Sequence, residues 1–168
     1  MMDTEAKKWS ASRPDIPPAY GISKNKKGIL PWSHVDDRMA QAKVYWVCTV
    51  DPEGHPHATP VDGVWNDGRL YFSGDPRTKR QRNLAGNPNV CIHLENGYDV
   101  LILHGVAQEL KSMDFQKAER LASESKVKYG YSNKPEDYQS GGVWEFTPEL
   151  VFAWTEFLKD ATRWKIAS

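Results

Sequence analysis

Four cations and a threonine crowd one short stretch of this chain, Gly74-Asp75-Pro76-Arg77-Thr78-Lys79-Arg80-Gln81-Arg82-Asn83-Leu84. The stretch follows a strand-like segment, residues 69–73, and reads as the opening of a short helix over about residues 77–85. Asp75 suits the N-cap and Pro76 the first helical position. Cations are the wrong sign for the positive end of a helix, where anions gain ~0.3–1 kcal/mol each. Free backbone N–H groups, a hydroxyl and several cations at one helix start suit a phosphate. A solvated basic face gives the same pattern, so the segment alone leaves both readings open.

The other chemistry-bearing residues are less focused. His55 and His57 are two apart and share a face if extended, but no third metal ligand follows from the spacing. His93 and His104 fall in strand-like runs and read as structural. No Ser/His/Asp or Cys/His arrangement supplies an activated nucleophile. Trp46 and Trp154 fall in strands and read as core. Trp65, Trp144 and Trp164 are the candidates for stacking on a flat ligand.

Composition narrows the partners. The 168 residues suit one domain with its own core. Lys and Arg total 22 and Asp and Glu total 22, so no basic excess is available for nucleic acid or an anionic membrane. The basic cluster is local and favours a small anionic ligand. No apolar run approaches the ~20 residues of a membrane span. The polar N-terminus lacks a signal-peptide apolar region, so a cytoplasmic location is expected. Cys48 and Cys91 sit in apolar strand-like runs and read as buried free thiols.

The elements that must position the cluster follow from periodicity and turn chemistry. Residues 1–32 read as an irregular arm and residues 33–168 as the domain. A helix is expected from Ser33 to about Lys43. Strands are expected over residues 44–50, 57–65, 69–73, 89–95 and 98–110, with Asn66-Asp67-Gly68 and Asn96-Gly97 as hairpin signals. Asn87-Pro88 ends the basic helix. Ser112 opens a second long helix to about Lys128, with Gly130 at its end. A polar loop spans 131–142, and strands at 143–146 and 149–158 are broken at Pro148. Six or seven antiparallel strands with few helices imply a mainly β fold, a closed or nearly closed barrel.

The order of these motifs resembles the pyridoxamine-5′-phosphate oxidase-like split β-barrel flavoproteins, a family that also includes deazaflavin (F420)-dependent reductases. The resemblance is carried by His57-Ala-Thr-Pro-Val61, Asn66-Asp-Gly68, Leu70-Tyr-Phe-Ser73, Thr78-Lys-Arg-Gln-Arg-Asn-Leu84, Asn87-Pro-Asn-Val90 and Gly105. It covers residues 33–110 well and the C-terminal strands loosely. It implies a homodimer with two cofactor sites at the subunit interface, FMN as cofactor with F420 as the alternative, and a small planar substrate. Thr78, Lys79 and Arg80 match the family's hydroxyl-plus-two-cations phosphate signature, and Arg82 falls where many members keep an arginine. Thr59, Pro60, Val61 and Asp62 would run along the ring through backbone contacts. Phe72 and Ser73 fall where the third strand approaches the cofactor. Such a site implies no dedicated catalytic side chain.

The departures bear on the reaction. Members acting on pyridoxamine phosphate carry Arg-Gln where this chain has Asp99-Val100, and an Arg-Leu-Ala-Pro ending that is absent here. The Ala161-Thr-Arg163-Trp164 ending looks more like general members, including those on the deazaflavin side. F420 has an acidic oligoglutamate tail, which Lys24, Lys26, Lys27 or Arg163 would suit. A non-catalytic flavin- or haem-binding carrier is the third reading.

Overall fold

A computed structural model describes residues 9–166. Strand β2 (Tyr45–Val50) shows why a sheet forms. Tyr45, Val47 and Thr49 point inward and are buried, while Trp46 and Cys48 alternate onto the other face. β2 pairs antiparallel with β3 (Pro56–Val61) on one side and β6 (Asn89–His93) on the other. β6 pairs with the long β7 (Val100–Leu110), and β7 with β8 (Val143–Trp154). β8 then divides its free side. Its first part takes β5 (Arg69–Ser73), which carries β4 (Val64–Asn66), and its second part takes β9 (Thr162–Ile166).

Among the described residues the sheet therefore has nine strands, more than the six or seven expected from the sequence, and it is not closed. It is a mainly β, antiparallel split barrel. β1 (Trp9–Ser12) finishes one edge by pairing with β9, so part of the N-terminal arm is ordered as a strand. Trp9 stacks on Trp32 with ring centroids 4.4 Å apart, and Trp32 meets Trp164 edge-on at 5.9 Å. These contacts pin the arm to the barrel.

The division of β8 falls at Thr147-Pro148-Glu149. The sequence expectation of two strands broken at Pro148 is corrected: the strand is continuous, and a register shift between His104 and Gly105 absorbs the proline. Proline is tolerated at such irregularities because the ladder is already interrupted there. Gly105 faces this point, where a Cβ would come within 2.1 Å of the Thr147 carbonyl oxygen.

Among the described residues, five α-helices decorate the sheet. α1 (Trp32–Gln41) buries Trp32, Val35 and Met39. α2 (Lys79–Gly86) follows β5 and packs on β2, β3 and β7. α3 (Phe115–Tyr129) is capped by Asp114, whose carboxylate accepts the Lys117 N–H at 2.9 Å, and ends at Gly130 with φ 76°. Position 114 replaces Ser112 as the expected cap. α4 (Pro135–Gln139) lies in the segment expected to be loop, and α5 (Phe157–Asp160) replaces the end of the last expected strand. No helix among the described residues is long and apolar enough to cross a membrane.

Candidate functional site

The basic cluster forms a corner after β5. Asp75 does not cap the helix; its carboxylate accepts the Arg77 N–H at 2.8 Å and pairs with the Arg77 guanidinium. That carboxylate closes a local turn, and the Thr78 N–H and hydroxyl both return to the Asp75 carbonyl. The helix then starts at Lys79, with Thr78 as N-cap and no acidic residue in the first turn. The first N–H groups of a helix have no acceptor within it, so this end offers donors and a positive field.

The four cations separate by role. Arg77 and Arg82 are exposed, and Arg82 donates to the Arg77 carbonyl at 2.6 Å. Lys79 is exposed and pairs with Asp51, just beyond β2, at 3.1 Å. Arg80 turns inward and is buried. It donates to the Ser73 carbonyl at 3.0 Å and lies over the Phe72 ring at 5.6 Å. Its Nε is buried with no hydrogen-bond partner among the described residues, and burial lowers its pKa. Gln81 braces the same corner by donating to the Gly74 carbonyl at 3.1 Å.

The strand residues named from the sequence lie beside this corner. Thr59, Pro60 and Val61 end β3, with Thr59 and Val61 directed toward the core side and Pro60 exposed. The expected strand 57–65 is two strands, because the Asp62-Gly63 turn separates β3 from β4. Gly63 is required there: a Cβ would lie 2.9 Å from both Leu70 Cδ1 and the Tyr71 carbonyl oxygen. Asp62, Phe72 and Ser73 line one small cavity of about 60 Å³ with Tyr129, Tyr131 and Tyr138. Pockets that enclose drug-sized ligands measure roughly 300–1,000 Å³, so this cavity cannot enclose a three-ring system.

The broad surface lies elsewhere. Register places Pro60, Trp46, His93, Ile102, Phe152, Arg163 and Ser12 in one row across seven strands. A second row holds Ala58, Cys48, Cys91, His104 and Leu150. Trp46 stacks on His93 with planes 3° apart. This face is half-buried to exposed and largely apolar. The cysteines are half-buried free thiols rather than core; burial raises both pKa values, that of Cys91 to about 11.

The tryptophans reverse their expected roles. Trp65, Trp144 and Trp164, the stacking candidates, are 7%, 6% and 1% exposed and belong to the core. Trp46 and Trp154, expected in the core, are only half-buried. Residue type and strand membership are the same for all five; the pleat parity decides which face each takes, and the sequence alone left that parity open.

The arm supplies the other charged surface. Arg13 is spent on structure, donating to the carbonyls of Asn25, Lys27 and Ala161. Beside it, Lys24, Lys26 and Arg163 line one cleft with Asp15. Lys27 is not among its lining residues. Asp51, Glu53 and His55 bring carboxylates and an imidazole together at an exposed turn, and His57 is not part of that group. The His55–His57 pair is thus no metal centre by itself.

Comparison with known proteins places this geometry. A family profile described as pyridoxamine 5′-phosphate oxidase matches residues 32–155. A conserved hypothetical protein from Mycobacterium tuberculosis is 16% identical, with TM-score 0.61 over 77% of this chain and 88% of its own. An F420 reductase is 16% identical, with TM-score 0.53 over 69% of this chain and 94% of its own. The haem storage protein HutZ from Vibrio cholerae is 19% identical, with TM-score 0.55 over 72% and 92%. These likenesses establish the fold. No curated protein matches the sequence.

Proposed function

This chain belongs to the pyridoxamine 5′-phosphate oxidase family, and we propose that it is a homodimeric, FMN-dependent oxidoreductase acting on a small planar substrate. One observation carries the reading. The exposed cations of α2 stand at the corner after β5, and Asp51 ties Lys79 to the end of the β2–β3 pair. An anion-binding corner thus lies beside the strand to which the family resemblance assigns the ring.

The residues fit a phosphate-bearing cofactor. Lys79, Arg82, the Thr78 hydroxyl and the first N–H groups of α2 would hold the phosphate. Arg80, buried under Ser73 and Gly74, keeps the corner's shape and adds a positive field from below. The backbone of Thr59, Pro60, Val61 and Asp62 would orient the ring, with Phe72 and Ser73 beside it. FMN, when bound, supplies hydride exchange with the substrate; the protein binds and orients it. The apolar rows around Trp46, Ile102 and Phe152 are the surface a second copy would cover, excluding water from the cofactor's edge. The vitamin B6 reaction is not part of this proposal, because Asp99 and Val100 replace the family's Arg-Gln.

The arm cleft favours a second reading, F420 in place of FMN. Lys24, Lys26 and Arg163 come together there and suit an acidic tail.

Absorbance and mass of the ligand that copurifies test the proposal. Flavin bands that bleach on reduction are expected. A blue-shifted deazaflavin band selects F420 instead. Protein that neither retains nor binds either molecule overturns both readings. Bound cofactor without turnover on a panel of enones and quinones makes the protein a carrier.

A further inference from the structure

We propose that the C-terminal end of α3 positions the cofactor strand, with Lys128 and Tyr129 acting on the Asp62-Gly63 turn. This rests on the reading of β3 as the strand along the ring.

The contacts converge on one peptide unit. Tyr129 Oη accepts the Gly63 N–H at 3.0 Å and lies 2.8 Å from the Gly63 carbonyl oxygen and 3.0 Å from that of Lys43. Its single proton serves one of those carbonyls at a time. Lys128 Nζ donates to Tyr45 Oη at 2.6 Å and reaches the Gly63 carbonyl at 3.4 Å, so that carbonyl keeps a donor in either case. Tyr45 in turn donates to the Met39 carbonyl at 2.6 Å. Tyr131 stacks on Tyr129 and donates to the Asp62 carboxylate. The last turn of α3 and Tyr131, two residues beyond it, thereby link α1, the start of β2 and the β3–β4 turn. β5 backs the turn from the other side, where Gly63 leaves no room for a side chain.

The clamp carries a charge. Lys128 is half-buried over the rings of Tyr45 and Tyr129, and burial lowers its pKa to about 8 against the opposing pull of Glu124. Burial raises the Glu124 carboxyl above its ordinary 4.5 and the Tyr45 and Tyr129 hydroxyls above their ordinary 10.0, so the tyrosines move further from the Lys128 titration and the carboxyl moves toward it. Glu124 is itself faced by Arg120 and Asp67, Asp62 is held by Tyr131, and Asp36 on α1 accepts from Trp65 Nε1 at 3.0 Å. Below about pH 8 the bond from Lys128 to Gly63 is charge-assisted; above it the amine is neutral and the bond weakens.

Two readouts test the proposal on the full chain with Tyr129→Phe, Lys128→Met and Lys128→Arg. In cofactor-free protein, hydrogen exchange at the Gly63 amide should quicken at least fivefold in Tyr129→Phe, matching the loss of a hydrogen bond worth roughly 1 kcal/mol. Unchanged exchange overturns the clamp whatever the cofactor. With FMN, wild-type affinity should weaken severalfold between pH 7 and 9, whereas Lys128→Met should be weak and flat and Lys128→Arg flat. Parallel pH profiles in wild type and Lys128→Met overturn the role of the charge. Quickened exchange in Tyr129→Phe, together with a wild-type protein that binds neither FMN nor F420, keeps the clamp but overturns the cofactor reading and with it the positioning role.

Discussion

Lys79 Nζ lies 3.1 Å from an Asp51 carboxylate oxygen, so the first turn of α2 is tied to the end of β2 by an ion pair. The same carboxylate accepts the His55 N–H at 2.8 Å. That hydrogen bond, with Lys79 and His55, lowers the Asp51 pKa to about 2. One acidic side chain thus fixes both the β2–β3 turn and the direction of a cation in the proposed phosphate corner.

Asp51→Asn should remove a pH-dependent contribution to stability. The folded-state pKa is depressed, so the contribution is fully present above the ordinary 3.8 and is lost as pH falls through about 2. Urea unfolding of wild type and variant at pH 6 and pH 2.5 checks this: the gap between them should narrow at the lower pH.

Lys79→Ala with Arg82→Ala should leave the fold intact, since both side chains are exposed. Two charge-assisted hydrogen bonds at roughly 1.5–3 kcal/mol each correspond to at least a hundredfold loss of FMN affinity. Fluorescence titration measures it, and unchanged affinity would place the phosphate elsewhere. Arg80→Ala is a different experiment, because it also unroofs the buried corner under Ser73.

Gly105→Ala should destabilise the barrel by about 1–3 kcal/mol or more, as its Cβ meets the backbone at Thr147 and Pro148. Gly86→Ala is the control. Beyond its chain neighbours and its own helix backbone, nothing lies within 4 Å of its added Cβ, and Gly86 ends α2, so the change should be neutral or stabilising. Thermal unfolding of the two variants gives the comparison directly.

Ile102→Glu should abolish the proposed dimer without unfolding the subunit. Ile102 is half-buried in the middle of the apolar row, between His93 and Phe152. Light scattering should report one subunit mass for the variant and twice that for wild type. A wild-type monomer would sink the interface proposal.

The chemistry-bearing segment was legible from sequence because local rules govern it: Asn66-Asp67-Gly68 has the positive φ values its hairpin needs, and the basic run opens a helix. What escaped depends on distant partners. Thr162–Ile166 has no marked alternation of its own and becomes a strand between β8 and β1. Arg80 reads as one more surface cation, yet the chain folds it inward onto Ser73 and Phe72. Lys128 and Tyr129 carry no motif at all; only the packing of α3 beside β4 brings them to Gly63.

The pairing of β1 with β9 sets an order of events during folding. Residues 9–12 find their partners only at residues 163–166. The hairpins β2–β3, β4–β5 and β6–β7 have short separations and close at small entropic cost, but β1 must wait for a partner distant in sequence. During synthesis the N-terminal tryptophan of that strand has neither its sheet edge nor Trp164 nearby. Strand β1 is thus among the last of the described strands to be set, and the edge of β8 that takes β9 stays open to pairing with other chains until residues 162–166 have been made.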